Sequence, residues 1–198
     1  MRELVLAAAL TFSAAVASAD EAARSGIYGS LTLVVNGNTV SGVFDEQRGG
    51  GPIGGPQFSC IFLLRGTLAG SRAAVETWFP GESERIPGEL VFNSEGIALK
   101  LREDHGGCPM TTGSMAEQPY AMQRDEEGTG WAGVALVTAK RTSFRSAPGA
   151  PAPRAPYVVS FDPLVVLERQ SDWVRVSYRG ATKPITGWLP TSDLALVP

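Results

Sequence analysis

The sequence predicts an all-β protein: a small, disulfide-linked antiparallel barrel or sandwich at the N-terminal end, followed by a second, smaller β domain. Three observations lead there. Short segments of alternating apolar and polar residues recur along the chain, which is the period of half-buried strands. Turns rich in Gly and Asn separate them, and no amphipathic helix of ten residues intervenes. The two cysteines, Cys60 and Cys108, lie in the first of the two regions and have no Cys-x-x-Cys spacing.

Taken in order, residues 1–19 have the anatomy of a secretory signal. Arg2 supplies the positive start, residues 4–16 are apolar apart from Thr11 and Ser13, and Ala17-Ser18-Ala19 is a small-x-small cleavage site. Thirteen residues are too few to cross a hydrocarbon core, which needs about 20. An exported chain beginning at Asp20, periplasmic or secreted and without a membrane span, is the expectation.

In residues 20–124, Ile27, Leu31, Leu33 and Val35 read as one face of a first strand. Asn36-Gly37-Asn38 is a hairpin turn, and residues 40–44 return. Residues 58–64, FSCIFLL, form a continuous apolar run suited to a strand buried on both faces. Residues 73–79 follow a Gly-Ser bend, and residues 88–92 and 97–101 pair across the turn Asn93-Ser94-Glu95-Gly96. About six strands are expected in a barrel or sandwich.

In an exported chain an even cysteine count favours a Cys60–Cys108 disulfide. Closing a loop of that size stabilises the fold by about 4 kcal/mol in the chain-entropy estimate. His105 is the single histidine, so His105 with Cys108 falls short of the three or four ligands of a zinc site; no metal and no cofactor is expected. Arg48-Gly49-Gly50-Gly51-Pro52-Ile53-Gly54-Gly55-Pro56 lacks the Gly-Lys-Ser/Thr and helix of a phosphate loop, and reads as a hairpin loop. The carboxylate pairs Glu82/Glu84 and Glu103/Asp104 read as solvated turn charges, and no nucleophile elbow accompanies His105, so a non-catalytic role is expected.

Charge divides the chain. Residues 20–130 carry 8 Lys+Arg against 15 Asp+Glu, whereas residues 131–198 carry 8 against 4. This change of sign places a linker at residues 125–130 and a second domain over 131–198. The net charge of -3 argues against nucleic-acid binding.

In that second domain, Val174, Val176 and Tyr178 alternate with Arg175, Ser177 and Arg179, and Trp173 opens the segment. A turn at Arg179-Gly180 leads into residues 185–189, closed by Pro190. The order Asp-Trp-Val-x-Val, turn, Gly-Trp-Leu-Pro-x-Ser-x-Leu resembles the third and fourth strands and closing turn of the SH3-like barrel, in its bacterial cell-wall version. Extended upstream, the resemblance makes residues 134–139 the first strand, 140–156 its long loop and 163–169 the second strand. The loop holds Pro148-x-x-Pro151 and Pro153-x-x-Pro156, read as a stiff, extended segment. Where peptide-binding members place loop tyrosines, this chain has Phe144 and Asp193.

The resemblance implies a recognition module for peptidoglycan peptide or another envelope protein. Trp173, Trp188 and Pro190 are its candidate groove residues, with Arg145, Arg175 and Arg179 placed to meet carboxylates. Trp188, beside Ile185 and Leu189, also reads as core, and Trp173 reads either way. The alternative function is an inhibitor or immunity protein whose acidic N-terminal domain blocks a basic envelope-directed hydrolase.

Overall fold

The computed structural model describes residues 23–50, 57–180 and 182–197. The expected leader and its cleavage site lie outside those residues, as do residues 51–56 of the Gly/Pro-rich stretch.

Strands β1 (Gly26–Tyr28), β2 (Leu31–Asn36), β3 (Thr39–Gly49), β4 (Gln57–Ala69), β5 (Arg72–Trp78), β6 (Ile86–Asn93), β7 (Gly96–Leu101) and β8 (Tyr120–Glu127) close into an antiparallel barrel. Each pairs with the next, and β8 returns to pair with β1. The expected count of six becomes eight for two reasons. Gly29, at φ 53°, turns the chain and splits the expected first strand into β1 and β2. β8 carries the polar run Gln123 to Glu127 and buries only Met122, so no apolar alternation marks it. Asp125, Glu126 and Glu127 therefore finish the barrel, where a linker was expected.

The barrel is filled. Along β5, Ala73, Val75 and Thr77 are buried while Arg72, Ala74 and Glu76 face water. This alternation puts apolar side chains inside and charges outside, the reverse of a lipid-facing barrel. Phe44 and Phe62 stack at 4.8 Å at its centre, and each fully buried ring of this kind contributes about 1.5–3 kcal/mol. Cys60 in β4 is bonded to Cys108, the first residue of the one-turn helix α1 (Cys108–Thr111), with 4.4 Å between Cα atoms. His105, in the preceding loop, stacks on Phe62 at 4.7 Å and is nearly buried.

The second unit contains β9 (Gly133–Val137), β10 (Arg141–Ser143), β11 (Tyr157–Val159), β12 (Pro163–Gln170), β13 (Trp173–Tyr178), β14 (Ile185–Pro190) and β15 (Leu194–Val197). Five of these form a sheet in the order β14-β13-β12-β9-β15, with a 3-10 turn at Thr191–Asp193, and β10-β11 form a separate hairpin. Its core gathers Val137, Phe144, Leu164, Val166, Val176 and Leu189. Phe144 is thus committed to the interior.

The long loop is not a stiff rod: Ala150 N–H bonds to the Ala147 carbonyl at 3.1 Å, and Arg154 adopts φ 59°. Its prolines are interrupted by turns, because alternate Ala and Gly residues let the chain fold back between them.

A third apolar cluster joins the two units. Val34, Val43, Ile61 and Leu63, on the outside of the barrel, pack with Val134, Leu136 and Val197 on the outer face of the second sheet. This explains the unbroken apolar run in β4: Cys60, Phe62 and Leu64 point into the barrel, and Ile61 and Leu63 lie under the second sheet. Among the described residues no helix is long and apolar enough to cross a membrane.

Candidate functional site

The outer face of the second sheet is divided. Its β9 and β15 side docks against the barrel, which leaves uncovered the outer side chains at the Trp173 end of β13 and the facing end of β14. Because successive residues of a strand point to opposite faces, the burial of Val174, Val176 and Leu189 sends Trp173, Arg175, Trp188 and Pro190 outward. Register then makes them neighbours: Trp173 lies opposite Pro190, and Arg175 opposite Trp188. Trp173 and Trp188 are both half-buried, and neither belongs to a core cluster. The core reading of Trp188 is corrected accordingly: in a six-residue strand, parity assigns the interior to Leu189 and the surface to its neighbour.

Arg145 joins this face from the far edge of β14. Its backbone exchanges two hydrogen bonds with Trp188, of 3.0 and 2.9 Å, which puts the two side chains on the same face. The guanidinium reaches across to sit 5.0 Å from the centre of the Trp173 ring, and Nη1 donates to the Ala150 carbonyl at 2.7 Å. It is therefore held in place before any ligand arrives. Beside Trp173, an open cleft of ≈ 410 Å³ is bounded by Asp172, Pro190, Thr191 and Ser192.

Arg179 stands apart. It follows β13 and lines a different cleft, between the two units, with Gly29, Ser30, Asp45 and Ser177. Burial raises the Asp45 carboxyl above its ordinary value, and the nearby Asp162 and Glu46 carboxylates add to this against a hydrogen bond from Gln47. Five of the six expected ligand residues thus share one face and the sixth does not. Alternation along a strand is legible in the sequence, whereas the place where the neighbouring unit covers that strand is not.

The uncovered face joins aromatic surface to charge of both signs. Arg145 and Arg175 form no ion pair within 4 Å among the described residues, although Glu168 lies across the ladder from Arg175. Asp172 supplies a carboxylate at the rim. Two indoles and a proline ring give flat contact area, and the guanidinium forks match carboxylates. Such an arrangement suits an extended peptide bearing a carboxylate and an amine.

Two titratable groups beside α1 have local partners. Asp104 accepts from Ser114 Oγ at 2.6 Å and from the backbone N–H groups of Met115 and Ala116 at 2.8 and 3.1 Å, so it organises the turn after α1. His105 Nε2 lies 2.7 Å from Thr77 Oγ1, which itself donates to the Ile86 carbonyl at 3.1 Å. With its proton committed to Ile86, the hydroxyl accepts from Nε2–H. Among the described residues no three His, Cys, Asp or Glu side chains converge in a metal-binding arrangement. No family model, curated protein or solved structure matches this chain.

Proposed function

We propose that this is an exported, non-catalytic binding protein of the bacterial envelope, in which the second unit is an SH3-like module recognising peptidoglycan peptide. The observation that carries this reading is the convergence of Trp173, Trp188, Pro190, Arg145 and Arg175 on one uncovered face, outside all three apolar clusters. The SH3-like assignment rests on the five-stranded order β14-β13-β12-β9-β15 and the 3-10 turn between β14 and β15, together with the Trp and Gly-Trp-Leu-Pro signatures of the sequence. Export is supported by the leader-like N-terminus and by the disulfide, which oxidising compartments preserve.

Peptidoglycan stem peptides are short and extended and carry both carboxylates and amines, which is the chemistry the face offers. Sedimentation with isolated, protein-free cell wall tests the reading. The protein is expected in the pellet, with retention falling as salt rises, because the exposed guanidinium contacts are screened over about 10 Å at 0.1 M. Protein left wholly in the supernatant, and recovered from envelope extract in a stoichiometric complex with a soluble hydrolase, would instead support an inhibitor.

A further inference from the structure

A second groove, of ≈ 780 Å³, crosses the outside of the barrel over β4, β5 and β6 and shares no lining residue with the cleft beside Trp173. Its floor is low because Ala74 is the outward residue between Arg72 and Glu76; Gly66 and Gly88, which flank Val75 in the ladder, are inward positions. Those glycines are required by packing: a Cβ at Gly66 would lie 2.3 Å from the Ala74 carbonyl oxygen, and one at Gly88 2.6 Å from that of Lys100.

The walls carry the chemistry. Arg85 lies over the Trp78 indole, 4.6 Å from the ring centre, and Nη1 donates to the carbonyls of Glu82 and Glu84 at 2.9 and 3.0 Å. Its position is fixed by groups that leave Nε–H and the Nη2 protons uncommitted. Arg65, on β4, is exposed and pairs with no carboxylate within 4 Å among the described residues, though Glu76 lies across the ladder from it. The charged groups lining the groove are thus Arg65, Arg85 and Glu76, and the hydroxyls of Thr39 and Thr67 add further donors.

We infer that this groove binds an acidic peptide, with carboxylates paired to Arg85 and Arg65 and a backbone N–H donated to Glu76 between them. A forked guanidinium held in advance by an indole and two carbonyls gives up little freedom when a carboxylate arrives. The site does not depend on the Trp173 face, since its residues all come from the barrel. A sugar is disfavoured because Arg85 already covers the face of Trp78 on which a ring would stack. A lone phosphate would occupy only a fraction of the groove.

Titrating the full chain at low salt with tetraglutamate blocked at both ends, following the Trp78 indole N–H by NMR, tests this. Binding is expected, with Arg85→Gln and Arg65→Gln each weakening it about fivefold or more. Tetraglutamine should not bind. Equal binding of tetraglutamine, or full affinity in both arginine variants, overturns the inference. So does displacement of tetraglutamate by an equal concentration of inorganic phosphate, which would mark a simple anion site.

Discussion

His105 shows how one residue's surroundings set its chemistry. Burial against Phe62 holds its pKa below the ordinary value near 6.5, and the Asp104 carboxylate only partly opposes this. The folded protein therefore favours the neutral ring, and the unfolded chain takes up the proton more readily. Stability from this group is complete above pH 6.5 or so and is lost as pH falls below it toward the depressed folded value. Thermal midpoints measured from pH 8 to 5 should fall in the parent and fall less in His105→Gln, whose amide can still donate to Thr77. Parallel curves would show that another group sets the dependence. Nothing in the sequence marked His105 as interior, because a Gly-rich loop beside a cysteine looks exposed until α1 is seen pinned to β4.

Among the elements, legibility followed the contrast between apolar and polar residues. β5, β7 and β13 alternate cleanly, and the turn Asn93-Ser94-Glu95-Gly96 has its expected role, with Asn93 Oδ1 accepting from the N–H groups of Glu95 and Gly96 at 2.9 Å each. β8 was hidden because closure of the barrel, rather than its own apolar content, gives it a place. β3 and β4 extend past their apolar centres into polar Gln47 and Gln57, since each pairs with the other along the whole ladder. The disulfide was legible from the cysteine count together with the expectation of export. Replacing Cys60 and Cys108 together by Ala should lower barrel stability by about 2–4 kcal/mol, read as a shift in the denaturant midpoint. An unshifted midpoint would mean that the helix holds its place without the bond.

At the scale of the whole molecule, the cluster of Val34, Val43, Ile61 and Leu63 with Val134, Leu136 and Val197 was not legible. Sequence patterns report that a face is apolar and are silent on what covers it. With this shared interface, two independent transitions on heating are not expected. Calorimetry should give a single cooperative unfolding, and Leu63→Ala, costing about 2–5 kcal/mol, should lower it for both units together. Separate transitions would show that the interface is weak. The same docking gives the second sheet its one uncovered face, so the account stands or falls on Trp173. Half-buried and outside the cores, Trp173 should be replaceable by Ala for less than the roughly 3–5 kcal/mol of a core tryptophan, while loss of the aromatic surface should cost about 2 kcal/mol of binding, near thirtyfold. The direct measurement is retention of Trp173→Ala on isolated cell wall beside its thermal midpoint. The account predicts a folded variant whose retention is about thirtyfold weaker; a folded variant that binds at full strength would contradict it.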